Sequence, residues 1–489
     1  MDLLIGDIFR NAAAAVPDRQ AAVLGEASLT FAELDRGSNR LARALEQLGV
    51  AQGDRVAVWS ATTLELVPLF ASLAKLGAVF APLNASLNDD EVKAMVESAA
   101  PALLVVDGAR IGRAPAVASA AGASHISLAD LSALAAHTED GELAAGGVSE
   151  SDPHVVFFTS GSTGRPKGAV LSHRVNYLRS HPGALPEPRG TMVCPYPLFH
   201  MGAWTIALQQ WQARDGVIFL ESADAAAICE AVSRHRATRL NCIPAVWRRI
   251  LEHLAGPGGR GGDLSSVRFA DTGTSATPLE LLEAIEAVVP QAHLRVFYGS
   301  TEAGCVAALD HADMHRKPGS CGPPAPASEV RVDAHGELWV RGPLLFDGYL
   351  GDPAATADVL VDGWYRTGDV AELDPDGYLT IVGRTGDVIR TGGETVSPAE
   401  VEAALADHPA VADLAVVGIP DLQWGELVCV VVVVRSGSDP PTLADLRVHC
   451  TTRLAPYKHP RRIVIVGDIL RTPATRQVQR VLLAERIRT

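Results

Sequence analysis

The chain has 489 residues, 47% hydrophobic and 20% charged, with 42 Lys plus Arg against 57 Asp plus Glu and a formal charge of −15. That length fills two or more domains at about 100–200 residues each, and the composition excludes a disordered chain. The acidic balance argues against nucleic acid as a partner, because backbone binding relies on clustered cations.

The first residues, Met1 to Asp7, lack the basic region and apolar stretch of a signal peptide, and no window reaches about 18 consecutive apolar residues. The chain is therefore expected to be cytoplasmic, without a membrane partner. Arg55–Trp59 reads as a strand, residues 64–76 as an amphipathic helix, and Leu103–Val106 and residues 155–158 as buried strands. Residues 109–147, rich in Ala, Gly and Ser, carry the weakest pattern. Glu337–Arg341 and residues 378–382 suit a smaller antiparallel section. Past Gly383 the pattern restarts with a Gly392-Gly393 turn, a helix from Pro398 and strands at 414–417 and 427–434. Seven scattered cysteines without a CxxC pair offer neither a disulfide framework nor a zinc site, which fits a reducing compartment.

This alternation predicts an α/β protein. Residues 1–385 form a large N-terminal body of mixed sheets and helices, and residues 386–489 a small α+β lid. Residues 442–489 hold ten lysines and arginines against three acidic residues, a local cationic excess suited to polyanionic ligands.

The densest motif is Thr159-Ser160-Gly161-Ser162-Thr163-Gly164-Arg165-Pro166-Lys167-Gly168, directly after the strand at 155–158. Small residues let the backbone wrap phosphate oxygens, while the hydroxyls and the Lys167 cation donate hydrogen bonds to them. The spacing does not fit a Walker A loop.

This loop resembles the phosphate loop of the adenylate-forming superfamily, which includes acyl- and aryl-CoA synthetases, peptide-synthetase adenylation domains and luciferases. Further segments agree in order. Pro197-Leu198-Phe199-His200-Met201-Gly202 resembles the aromatic-gate motif, and Tyr298-Gly299-Ser300-Thr301-Glu302 the YGxTE motif. The resemblance implies that Glu302 holds Mg²⁺, that Thr301 contacts the nucleotide, that Asp369 in Tyr365-Arg366-Thr367-Gly368-Asp369 binds the ribose, and that Arg384 at the hinge reaches the nucleotide. It also implies nucleotide contacts from Gly273, Tyr298 and Gly299, and an acyl pocket past Trp204, Thr274, Tyr298, Gly299 and Cys305. Coenzyme A would be met by Arg390, Gly392, Gly393, Glu394 and Trp424. Leu454-Ala455-Pro456-Tyr457-Lys458-His459-Pro460 is similar to the family's segment before the last strands. The implied chemistry converts a carboxylic acid with ATP to an acyl adenylate. The lid then turns and the coenzyme A thiol captures the acyl group.

Two departures stand out. The family usually ends near Arg-Thr-x-x-Gly-Lys-Val-x-Arg, whose lysine bridges carboxylate and α-phosphate during adenylation. Aligned on Val478-Gln479-Arg480, that position is Gln477, with Arg476 beside it. An amide keeps a donor but loses the charge, and losing one preorganised donor elsewhere costs about 3–4 kcal/mol. At the hinge, Gly386 stands where Asp or Lys is usual. The sequence therefore predicts a weakened adenylation step beside an intact thioester-forming step, with a separate adenylating enzyme as the source of acyl adenylate. The alternatives are a complete ATP-dependent synthetase rescued by Arg476, a non-catalytic acyl-adenylate-binding protein, and a ligase for a carrier-protein thiol. Small residues and the lack of an obvious cation in the acyl region suggest a bulky apolar monocarboxylate.

Overall fold

The structure is a computed structural model. It describes all residues except 1, 144–145, 160–165, 182–189, 257–261, 276, 392–393, 422–423, 452, 455, 472–477 and 489, and the side chains of 394, 395 and 425. The chain divides into two compact units. The first holds Met1–Pro318, Gly322–Glu329 and Arg341–Tyr365; the second holds Gly319–Cys321, Val330–Val340 and Arg366–Thr489. Residues 366–384 thus group with the C-terminal residues, on the other side of the expected division at 385/386.

Two sheets build the first unit. One has eight strands in the order Gly304–Asp310, His293–Ser300, Phe269–Gly273, Arg239–Asn241, Met192–Cys194, Val217–Phe219, Gln20–Leu24, Ala27–Thr30. Its central neighbours are parallel, and each end is closed by an antiparallel pair. The other has seven, in the order Gly348–Tyr349, Lys167–Ser172, Pro153–Thr159, Val79–Leu83, Arg55–Trp59, Leu103–Val106, Ser124–Ser127. Parallel strands covered on both faces read as unbroken apolar runs, and Val79–Leu83 and Leu103–Val106 are buried at every position.

Local chemistry fixes the ends of the helices between these strands. Thr30 and Glu33 form a reciprocal capping box at the start of Phe31–Gln47, and Gly77, at φ +75°, stops Leu66–Leu76. An aromatic core joins the layers. Trp204 stacks on Phe70 with ring centroids 4.1 Å apart, Phe80 meets both rings edge-on, and Phe9 meets Phe70 and Trp211. Residues 109–147 supply the helices Ala114–Ala118 and Leu128–Ala135 and the edge strand Ser124–Ser127. Their short Ala- and Ser-rich runs show no clear period in sequence.

The second unit repeats the layered logic on a smaller scale. One of its sheets runs Glu394–Val396, Ile389–Thr391, Gly425–Val434, Val411–Asp421, with Arg462–Ile465 parallel to Gly425–Val434. Strand alternation sends Val428, Val430 and Val432 toward Val401, Leu405 and Leu446, and Cys429 and Val431 toward Leu483 and Ile487. Among the described residues no helix is long and apolar enough to cross a membrane. All seven cysteines are free thiols.

Two buried histidines lie side by side, His154 in the strand Pro153–Thr159 and His173 at the start of the helix His173–Ser180, with ring centroids 4.8 Å apart. His154 Nδ1 pairs with Asn176 Nδ2 at 2.9 Å, and His173 Nδ1 accepts from the Ile5 amide at 3.2 Å. Neither Nε2 has a partner. Burial holds His154 neutral and lowers the His173 pKa to about 4. Both sites bind protons more readily unfolded than folded, so their contribution is complete above the unfolded pKa, about 6.5, and is lost as the pH falls toward 4. Urea unfolding should show stability falling by about 2 kcal/mol from His173 alone between about pH 7 and pH 5. His173→Asn, which keeps an acceptor for Ile5, should flatten that slope.

Candidate active site

The antiparallel pair Pro153–Thr159 and Lys167–Ser172 brings Thr159 opposite Lys167, so both ends of the glycine-rich loop start from one rung. Loop residues Ser160, Gly161, Ser162, Thr163 and Gly164 lie outside the described residues. Lys167 Nζ lies 4.9 Å over the ring of Tyr349, a cation–π contact that orients the ammonium group. The Thr159 hydroxyl stands 3.3 Å from Glu302 Oε1 and 3.4 Å from the Lys167 carbonyl.

Glu302 lies in the turn between His293–Ser300 and Gly304–Asp310 and is 8% exposed. Its Oε1 also accepts from the Tyr349 hydroxyl at 3.1 Å, whereas Oε2 receives no hydrogen bond from any described residue. One buried carboxylate with an uncommitted oxygen fits Mg²⁺, which commonly takes one or two carboxylates and leaves its other positions to water and phosphate.

The turn itself is clamped by a residue that carries no motif. Arg179, on the helix His173–Ser180, donates through Nε to Leu344 O at 2.8 Å, through Nη1 to Thr301 O at 2.7 Å and through Nη2 to Glu302 O at 2.9 Å. Burial lowers its pKa to about 10 against the pull of Glu302, Asp347 and Tyr365, so it stays cationic near neutrality. Three backbone carbonyls thus solvate a buried guanidinium and fix the direction in which Thr301 and Glu302 leave the sheet. Tyr349 and Arg179 both escaped sequence reading. The Asp347-Gly348-Tyr349 run was the available signal for the tyrosine, and nothing local marks the arginine.

The remaining first-unit residues gather near the carboxyl ends of the eight-stranded sheet. Only glycine fits at 273 and 299, where an added Cβ would lie 2.3 Å from Phe297 O and 2.1 Å from Gly304 O. Tyr298 pairs with Ala307 and Gly299 with Cys305, whose thiol burial pushes up to about 11. Thr274 takes φ +67°, a left-handed conformation unfavourable for a β-branched residue by about 1–2 kcal/mol and often found at functional sites. His200 caps the helix Met201–Gln212, its Nδ1 accepting from Gly202 N at 3.1 Å, and its ring lies 6.4 Å from that of Tyr196. Surrounding protein lowers its pKa although the ring reaches solvent.

One expectation is corrected here. Trp204 is fully buried against Phe70 and Phe80, its Nε1 donating to Leu198 O at 2.7 Å, so it is a core residue rather than an acyl-pocket wall. Its place on the buried side of the helix was hidden because gate and core residues alternate within one turn. A cation also stands in the strand leading to Tyr298 and Gly299: Arg295 is salt-bridged to Asp271 at 2.8 Å.

The second unit holds the other expected residues. Asp369 faces Arg384 across antiparallel strands, with Arg384 Nε 2.7 Å from Asp369 Oδ1 and Arg384 Nη1 donating to Thr367 O at 3.1 Å. The Arg390 amide donates to Glu426 Oε2 at 2.7 Å, and the Arg461 guanidinium lies 3.7 Å from the Trp424 ring centroid. Gly392, Gly393, the Glu394 side chain and Gln477 lie outside the described residues. Gly386 follows Arg384 in a tight turn, but its φ is not in the left-handed range and an added Cβ would meet nothing within 4 Å.

Two outcomes follow from these contacts. Arg179→Met leaves buried carbonyls without a donor and should lower urea-unfolding stability by about 2–5 kcal/mol, while Arg179→Lys should recover part of that loss. Gly386→Asp should leave the unfolding free energy within about 0.5 kcal/mol of the parent, because the site is sterically open.

Comparison with known proteins places this geometry in a family. Residues 9–350 match the AMP-binding enzyme family, and residues 400–476 match the AMP-binding enzyme C-terminal domain. A feruloyl-CoA synthase of Amycolatopsis sp is 36% identical over 473 residues, covering 91% of this chain and 92% of the relative. An indoleacetate–CoA ligase of Aromatoleum aromaticum is 33% identical over 493 residues, covering 93% of each. Among solved structures, o-succinylbenzoate CoA synthetase from Bacillus subtilis, in complex with its acyl-adenylate intermediate, gives a TM-score of 0.87 at 26% identity over 97% of each chain. The chain belongs to the AMP-binding enzyme family and, within the adenylate-forming superfamily, to its acyl-CoA ligases.

Proposed function

We propose that this ligase is specialised for the second half-reaction. It forms a coenzyme A thioester from a supplied acyl adenylate, and catalyses adenylation of the free acid weakly or not at all. A separate adenylating enzyme then provides the acyl adenylate, and the free thiols support a cytoplasmic setting. The observation that carries this reading is Gln477, where the family's lysine is expected, together with the commitment of the described cations that bound its segment. Arg471 Nη2 donates to Asp413 Oδ1 at 2.7 Å. Arg480 Nη2 donates to Glu402 Oε1 and Oε2 at 2.6 and 2.8 Å, and its Nε to Val416 O at 3.2 Å. Burial raises the Glu402 pKa while Arg480 opposes the rise, so moving that arginine would strand a buried carboxyl.

In the retained step the thiol sulfur attacks the acyl carbonyl carbon, the bond from that carbon to the phosphate oxygen breaks, AMP leaves and the thiol proton passes to solvent. Lys167 and Thr159 are assigned to the phosphate, Thr301 to nucleotide positioning, His200 to the mouth of the acyl site, and Asp369 and Arg384 to the ribose. Arg390 and Trp424, with Gly392, Gly393 and Glu394, are assigned to coenzyme A, and Gly386 to the pivot between residues 1–385 and 386–489. When bound, Mg²⁺ supplies neutralising charge at the phosphates, and Glu302 Oε2 is the group suited to hold it. The names of the feruloyl and indoleacetate relatives support an aromatic monocarboxylic acid as the acyl source. A complete ATP-dependent synthetase for a bulky apolar acid is the second reading, favoured by Arg476 beside Gln477.

A paired assay separates them. With acid, ATP and Mg²⁺, the parent should release pyrophosphate about 10²–10³ more slowly than Gln477→Lys, while both convert preformed acyl adenylate and coenzyme A to thioester at similar rates. Pyrophosphate release by the parent as fast as by Gln477→Lys would leave the complete synthetase.

A further inference from the structure

The less buried face of the eight-stranded sheet carries a polar row that the reacting turn does not use. Along His293–Ser300, Leu294 and Val296 are buried, while Arg295, Phe297 and Gly299 occupy the opposite face, as the two-residue repeat of a strand requires. Register aligns Asn241 with Asp271 and Asp271 with Arg295 on three neighbouring strands. Arg295 donates through Nε and Nη2 to the two carboxylate oxygens of Asp271, each at 2.8 Å, and its side chain remains 28% exposed. Tyr196 Oη donates to Asn241 Oδ1 at 2.7 Å. Arg295 Nη1 and Asn241 Nδ2 therefore carry N–H groups that no described residue accepts.

This row and the Glu302 turn are joined by a single strand, His293–Ser300, which the turn directly follows. Gly299 lies opposite Cys305 and Gly273 opposite Phe297, so two positions between the row and the turn have no side chain. Gly299 lies four residue steps along the strand from Arg295, a distance of about 13 Å. Tyr196, at one end of the row, has its ring 6.4 Å from that of His200, the residue assigned to the mouth.

We propose that Asn241, Asp271 and Arg295 form the far end of the acyl site and select a monocarboxylic acid bearing a neutral oxygen acceptor, such as a phenol or methoxy oxygen, remote from its carboxyl group. This deepens the acyl-CoA ligase reading and rests on it. Arg295 is neutralised by its bidentate partner, so the row offers N–H donors without net positive charge, and Asp271 disfavours a second carboxylate. A ligand with no acceptor there would cover two donors without pairing them. Phe297, with Arg295 at 5.0 Å from its ring centroid, supplies an apolar surface for the body of the acid.

The test is calorimetric binding of three unreactive acyl-sulfamoyl adenosines, made from 3-phenylpropenoic acid, its 4-hydroxy derivative and its 4-carboxy derivative. In the parent chain the 4-hydroxy analogue should bind about tenfold or more tightly than the unsubstituted one, and the 4-carboxy analogue no better than the unsubstituted one. Asn241→Leu should shrink the hydroxy preference to about twofold or less. The parent ranking stands without any variant. Equal binding of the hydroxy and unsubstituted analogues, tightest binding of the 4-carboxy analogue, or a preference that survives in Asn241→Leu overturns the assignment of the row. Failure of all three to bind overturns the ligase reading beneath it.

Discussion

The grip of Arg179 on the carbonyls of Leu344, Thr301 and Glu302 is the constraint on which the first unit's site depends. A guanidinium removed from water has to be re-solvated by fixed acceptors, and here those acceptors are the backbone of the turn that carries the reactive side chains. The same turn is tied from the other side, where the Phe346 amide donates to Glu302 O at 2.7 Å and Tyr349 and Thr159 reach the carboxylate. Preorganisation of this kind lowers the reorganisation needed when charge develops on a bound phosphate.

A division of labour runs through the chain. Thr159, Lys167 and Glu302 cluster at strand ends and a turn, where backbone groups are available. The Asn241–Asp271–Arg295 row lies within the strands, where register fixes its geometry to fractions of a residue. The second unit keeps its own ion-paired Asp369 and Arg384 on adjacent strands, so each unit presents a separately built set of polar groups.

Much of this was legible in the sequence, for identifiable reasons. Buried parallel strands such as Arg55–Trp59 and Leu103–Val106 announce themselves because both faces must be apolar. The family was legible because the motifs around Thr159, Lys167, Glu302 and Asp369 keep a fixed spacing and order along the chain. Arg179, Tyr349 and Arg295 were not, because each acts across more than twenty residues of sequence and has no local pattern. Trp204 was misplaced because a helix residue beside a gate motif can face either way, and only the stacking on Phe70 decides it. The strand Ser124–Ser127 was missed because edge strands are short and only partly apolar.

The ends of the segment around Gln477 are held independently of what lies between them. Arg471 and Val478 bridge as an antiparallel pair, Gln479 N donates to Leu470 O at 2.9 Å, and Ile469 and Leu483 are buried on the same face of the sheet. These anchoring contacts are made by residues outside 472–477, so a substitution within that stretch leaves them in place.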